Sequence, residues 1–161
     1  LNHRRYIKMA IELKKVQNIE TLALGFNYEA SIDLSTLGTT AGSATAVDIQ
    51  VGEAAMAGGI FGAAIIVDEL VVGTSITDAT IAIGDDGDAD GFVDEVDVFS
   101  DSGNLGKMFA NTGALAVAGF HLASAVDLTY NFTGEGPDVA TAGKIRLLVK
   151  YYPTAGQLFA S

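Results

Sequence analysis

Apolar and polar residues alternate along several stretches of the chain, so that apolar side chains occupy every second position. The alternation is regular in FNYEASIDL, residues 26–34, and recurs in VDLTYNFTG, residues 126–134, and in KIRLLVKYY, residues 144–152. Successive side chains of a β-strand point to opposite faces of its sheet, so this pattern predicts strands with one buried face. The side chains that it predicts to be buried are Phe26, Tyr28, Ile32, Leu128, Tyr130, Phe132, Ile145, Leu147 and Val149.

Three further segments have the composition of strands: TAVDIQV (45–51), GAAIIVDELVV (62–72) and DATIAIG (78–84). The second is apolar at nearly every position, which predicts burial on both of its faces. Segments rich in Gly, Asp, Ser and Thr separate the strands and predict turns. Short strands at this spacing predict an all-β fold, a two-sheet antiparallel β-sandwich resembling a jelly roll. The predicted sandwich spans residues 19–152, and residues 153–161 form a short tail.

The first eighteen residues lack clear alternation and carry a charge of their own. The first fifteen positions contain five basic residues and one acidic residue, Glu12. We predict that residues 1–18 form an extended basic arm that docks on an acidic neighbouring subunit, where several weak ion pairs act together. The residues predicted to bind this partner are Arg4, Arg5, Tyr6, Ile7, Lys8, Lys14 and Lys15. A second interpretation stays open, in which Met9 is the initiating residue and residues 1–8 are translated upstream sequence.

The charge of the remaining chain limits its partners. The whole sequence has a formal net charge of −11, and residues 16–161 hold four basic and nineteen acidic groups. An acidic body repels phosphate backbones, so nucleic-acid binding by this part is not expected. The longest apolar run, residues 54–67, is too short and too rich in glycine to span a membrane. The chain has no cysteine, which excludes disulfides, zinc–thiolate sites and thiol nucleophiles.

One acidic segment, IGDDGDADGFVDEVDVF at residues 83–99, nearly matches the calcium loop of an EF-hand. Such a loop places oxygen ligands at six fixed positions around a glycine, which here is Gly91. The candidate ligands are Asp86, Asp88, Asp90, the carbonyl of Phe92, Asp94 and Asp97. Two features argue against a calcium loop: the last ligand position is Asp where an EF-hand has Glu, and a strand is predicted where an EF-hand has a helix. The same letters are typical of an acidic turn between two strands, and both interpretations stay open.

Residues with catalytic potential are few. His3 and His121 are the only histidines, and neither has a second candidate ligand near it in the sequence. No nucleophile elbow, phosphate-binding loop or dinucleotide fingerprint occurs in the sequence. We therefore do not expect an enzyme.

Two segments resemble a family of virion proteins. They are IIVDELVVGTSITDATIAIGDDGDADGFVD and AVDLTYNFTGEGPDVATAGKIRLLVKYY, in which residues 81–93 and 141–151 carry the motifs. These motifs are similar to those of small β-sandwich virion proteins of tailed bacteriophages, and the similarity extends over roughly residues 20–152.

The resemblance implies a capsid decoration or cement protein on the outer shell of a virion. Such a protein would bind the major capsid protein as a homo-oligomer, with a trimer favoured, and would have no active site. Two other roles remain: a tail or fibre component of the virion, and a calcium-dependent surface or adhesin domain.

Overall fold

The described part of the chain is built from eleven strands and two short helices. The computed structural model describes residues 10–37, 44–51, 54–56, 58–117, 121–123, 125–134 and 140–153. The strands are β1 (Ala10–Lys15), β2 (Tyr28–Asp33), β3 (Thr45–Val51), β4 (Ala54–Ala55), β5 (Gly58–Val72), β6 (Ile76–Asp85), β7 (Asp88–Asp97), β8 (Met108–Ala110), β9 (His121–Ala123), β10 (Val126–Gly134) and β11 (Ala142–Pro153). The helices are α1 (Ile19–Ala23) and α2 (Ala114–Val117).

The prediction of an all-β fold is confirmed, whereas two separate antiparallel sheets are not. The strands form one continuous sheet in the order β7-β6-β10-β3-β1-β2-β11-β5-β8, with β4 beside β3 and β9 beside β5. The sheet is mixed because β1 pairs with β3 in parallel. It is curled until it nearly closes into a barrel, which brings β7 next to β5 and β8.

The prediction of an N-terminal arm is wrong for Ala10–Lys15, which lie in the middle of this sheet. β1 pairs with β3 over four residues, from Ala10 to Leu13, and with β2 at Lys14 and Lys15. Ile11 and Leu13 are buried in the core. The alternation of these two residues with charged ones is a strand pattern, but it is too short and too highly charged to stand out in the sequence.

The core follows the predicted alternation. Of the nine side chains predicted to be buried, eight are buried, and Tyr28 is half-buried against the core. Strand β5 is buried on both faces from Gly62 to Val67, as predicted, whereas Asp68 and Val72 are exposed. Ile65 and Val67 point into the main core, while Ala64 and Ile66 belong to a second apolar cluster with Phe26 and Leu148.

Hydrogen bonds join the two ends of the curled sheet. The amide of Val71 on β5 donates to the carbonyl of Val98 at 2.7 Å. The amide of Asp94 on β7 donates to Thr112 Oγ1 at 2.9 Å. Next to this contact, a Cβ on Gly113 would lie 2.3 Å from the backbone of Gly91, so glycine is required at this close approach of α2 to β7.

Candidate interaction surfaces

The acidic segment forms a β-hairpin, in which Asp86 and Gly87 connect β6 to β7. The turn is organised by Asp85, which precedes the six predicted ligand positions. Its Oδ1 accepts hydrogen bonds from the amides of Gly87 at 3.0 Å and Asp88 at 3.1 Å. A carboxylate that bonds amides two and three residues ahead stabilises a turn.

The six predicted calcium ligands do not converge on one point. Asp86 lies in the turn, Asp88, Asp90 and Asp94 follow along β7, and Asp97 ends that strand. The described residues include no group of three or more His, Asp or Glu side chains that could hold a metal ion. An EF-hand loop surrounds its ion, whereas a strand separates successive residues by about 3.3 Å along a line. This geometry matches the acidic turn and not the calcium loop.

Three of the six positions are already engaged within the fold. The carboxylate of Asp94 accepts a hydrogen bond from the amide of Glu95 at 2.8 Å. The carbonyl of Phe92 accepts a hydrogen bond from the amide of Gly113 at 3.2 Å. The carboxylate of Asp97 accepts from the amides of Phe99 and Ser100 and from Ser100 Oγ, at 2.8, 2.9 and 2.6 Å. Partial burial alone would raise the pKa of Asp97, but these bonds to the ionised form outweigh it and hold the pKa below its usual value.

The predicted partner-binding residues lie in two places. Arg4, Arg5, Tyr6, Ile7 and Lys8 fall outside the described residues, as does His3. Lys14 and Lys15 are exposed at the end of β1, where Lys14 lies opposite Glu29 of β2. His121 lies on β9, opposite Ile60. The role of the two lysines in binding a partner stays a prediction.

Charged side chains cover the outer face of β11 and β5. Arg146 donates from Nε and Nη2 to the two carboxylate oxygens of Asp68, both at 2.9 Å. These bonds to Asp68 raise the pKa of Arg146. Lys144 Nζ lies 3.9 Å from Glu69 Oε2, and both side chains are largely exposed. Exposed pairs contribute roughly 0–1 kcal/mol each, so they shape the charge of this face more than its stability.

A shallow cavity of about 360 Å³ lies where β1 and β2 separate. Its lining includes Glu12, Lys14, Glu29 and Arg146, so its walls carry both signs of charge. A site for a small apolar ligand would be lined mainly by apolar side chains. This cavity is therefore better suited to contact with a polar surface.

Helix α1 presents apolar side chains to solvent. Ile19 is 81% exposed, Leu24 61% and Leu22 45%. Asn18 caps the helix: its side chain accepts hydrogen bonds from the amides of Glu20 and Thr21. After the helix the chain turns at Gly25, where φ is +94°. No residue of α1 is buried. The amino-acid sequence contains the cap and the glycine, but it does not show that the leucines between them point outward.

Two asparagine side chains, which the sequence pattern does not mark, bind backbone groups of the sheet. Asn27 Nδ2 donates to the carbonyl of Tyr151 at 2.8 Å, and its Oδ1 accepts from the amide of Tyr151 at 2.9 Å. Asn111 Oδ1 accepts from the amide of Ala63 at 3.0 Å, and the amide of Asn111 donates to the carbonyl of Ala63 at the same distance. Both residues extend the hydrogen bonding of the central pair β5–β11.

No family model matches the chain, and no curated protein matches it. Neither helix in the described ranges has the length and apolar character that crossing a bilayer requires.

Proposed function

We propose that this chain is a structural virion protein, a decoration or cement protein on the capsid surface of a tailed bacteriophage. It stabilises the shell by binding the major capsid protein as a homo-oligomer, with a trimer favoured. The jelly-roll-like sandwich implied by the resemblance is part of the same proposal. No cofactor is needed for this role.

The resemblance of residues 81–93 and 141–151 to virion proteins carries the proposal. Within the fold, the first segment forms the β6–β7 hairpin and the second lies almost entirely on β11, which pairs with β2 and β5. The motif therefore falls on framework strands, where it specifies a scaffold. The acidic and mixed-charge surface around this scaffold suits binding to another protein.

The test is the position and copy number of the chain in purified virions. Quantitative mass spectrometry of particles gives the copy number, and cryo-electron microscopy gives the location. We expect many copies per particle, arranged on the capsid lattice. The matched functional test adds purified protein to particles that lack it and measures the temperature at which the capsid opens, which should rise.

Other outcomes separate the alternatives. A few copies at the tail would support a tail or fibre component, and absence from virions would overturn the proposal. The calcium-dependent surface domain would require a calcium-dependent change in the isolated protein.

A further inference from the structure

The exposed helix α1 and the acidic hairpin turn lie at the same end of the curled sheet. Strand β1 runs toward α1 and is parallel to β3. Strand β10 is antiparallel to β3, and β6 is antiparallel to β10, so β6 runs in the same direction as β1. The turn that follows β6 is therefore at the end where α1 follows β1.

The strand order also puts α1 and this turn on opposite sides of that end. Helix α1 connects β1 to β2, and the turn connects β6 to β7. In one direction around the sheet, β10 and β3 lie between β6 and β1; in the other direction, β11, β5 and β8 lie between β2 and β7. In a sheet that nearly closes into a barrel, positions separated by similar numbers of strands in both directions face each other across the axis. The α1 connection and the hairpin turn are thus about half a circumference apart.

The side with α1 combines apolar and basic groups. Ile19, Leu22 and Leu24 are exposed there, and Lys15 is exposed immediately before the helix. Lys150 also reaches this side, because its Nζ lies 4.0 Å from the position that a Cβ on Gly25 would take. Glu20 is the acidic residue of α1.

The hairpin itself is acidic and contains no basic residue. Asp85, Asp86, Asp88 and Asp90 fall within six positions, and the stretch from Asp85 to Asp97 has neither lysine nor arginine. Asp86 and Asp90 are exposed. This side is complementary in charge to the side with α1.

We propose that two copies of the chain pack end to end about a two-fold axis, with α1 of each copy against the acidic hairpin turn of the other. The axis lies in the plane of the end and is perpendicular to the line from α1 to the hairpin turn. A rotation of 180° about it exchanges the two sides, so both contacts form at once, as an isologous interface requires. The exposed apolar side chains of α1 lose water in the contact, and Lys15 and Lys150 face the aspartates. This contact concerns the isolated chain, and it rests neither on a role in a virion nor on the trimer proposed for the capsid.

The net charge of the chain opposes this contact only weakly at physiological salt. Charges farther apart than about 8 Å are largely screened there, whereas contacting charges are screened much less. Local complementarity across the contact therefore outweighs the repulsion between the two acidic bodies.

Sedimentation velocity on the full chain tests the proposal, over about 1–100 µM protein at constant ionic strength. We expect a reversible monomer–dimer equilibrium. Leu22→Asp with Leu24→Asp should weaken the dimer at least about tenfold, since two apolar contacts are replaced by desolvated charge. Val72→Asp is the matched control. Val72 is also exposed, but it is the last residue of β5 and lies at the end of the sheet away from α1. Circular dichroism checks that each variant is folded.

Charge exchange gives the sharper test. One variant carries Lys15→Glu and Lys150→Glu, and the other carries Asp86→Lys and Asp88→Lys. Each alone should dimerise at least about tenfold more weakly than the original chain. An equimolar mixture should recover dimerisation, since each reversed surface then meets its opposite.

Three outcomes would overturn the proposal: a monomer at all concentrations, a dimer that the α1 variants do not weaken, or failure of the mixture to recover. A trimer that is insensitive to these substitutions would also overturn it, while leaving the proposed virion function in place. Location in virions and association in solution are separate measurements, so the two proposals fail independently.

Discussion

At the scale of single residues, the side chains of two asparagines and one aspartate form hydrogen bonds that backbone groups form elsewhere in the sheet. A primary amide has an acceptor and donors spaced much like those of a peptide group, so Asn27 and Asn111 can extend a strand ladder. The two asparagines lie at the same height along the sheet. The amide of Asn27 donates to the carbonyl of Val149 on β11, and Val149 is paired with Ala63 on β5. Asn111 also has a positive φ of 53°, which asparagine tolerates better than most residues.

Replacement of Asn111 by alanine should destabilise the fold by about 2–3 kcal/mol, because the amide of Ala63 loses its acceptor and alanine is strained at positive φ. Asn111→Gly removes the same acceptor without the strain and should cost about 1 kcal/mol less. Urea denaturation of the three proteins measures the difference. Equal stabilities for the two variants would show that the backbone at residue 111 relaxes.

Asp97 gives the stability a defined dependence on pH. Its pKa is lowered in the folded protein, so folding favours the ionised form. This stabilisation is complete above the unfolded pKa of about 3.9 and is lost as the pH falls through the lower folded value.

Asp97→Asn should therefore lower the free energy of unfolding by about 1 kcal/mol at pH 7, a modest loss because the carboxylate is accessible to solvent. The loss should shrink at pH values below the folded pKa. Chemical denaturation across this pH range checks it, with Asp86→Asn in the hairpin turn as control. A difference between the original protein and Asp97→Asn that does not change with pH would contradict the assignment.

At the scale of elements, the same residue pattern has a different meaning on a strand than on a loop between helices. The acidic segment has most of the spacing of a calcium loop, but Asp85 closes a tight turn and β7 then extends its carboxylates along the edge of the sheet. Ligands at intervals of two residues converge only if the backbone curves around the ion.

Addition of millimolar calcium should therefore leave the melting temperature unchanged, since a ligand raises it only by binding the folded state. Differential scanning calorimetry with calcium, with magnesium and with a chelator measures this. An increase specific to calcium that disappears in Asp88→Asn with Asp90→Asn would mean that the hairpin rearranges around the ion. The calcium-dependent surface domain would then become the stronger alternative.

At the scale of the whole molecule, β1 joins the two halves of the sheet. It is the only strand between β3 and β2 in the described sheet order, and its parallel pairing with β3 makes the sheet mixed. Ile11, Leu13 and Val16 are buried along or just after it. Removal of this strand would leave two sheet halves with unpaired edges next to an open core.

Deletion of residues 1–15 should therefore abolish cooperative folding, whereas deletion of residues 1–8 should leave the fold intact because every described contact remains. Burial of Ile11 and Leu13 contributes about 1.5–3 kcal/mol each, a large part of the 5–15 kcal/mol typical of a domain. Circular dichroism and urea denaturation distinguish the two deletions. Leu13→Ala, compared with Glu12→Ala as the exposed control, should cost about 2–4 kcal/mol. A folded protein without residues 1–15 would restore the arm interpretation.

The amino-acid sequence by itself determined that this protein is made largely of strands and, in the strands with clear alternation, which side chains are buried. Phe132, Ile145 and Leu147 are examples, since alternation is a local property that records which face of a strand avoids water. The tertiary structure alone decided which strands are neighbours, that β1 belongs to the sheet, and that the acidic segment is a hairpin. Backbone pairing joins groups that every residue carries alike, over separations as long as that between Tyr28 and Val149, so no side-chain pattern encodes it. The exposure of Leu22 and Leu24 likewise depends on the tertiary structure, because no other part of the described chain packs over them.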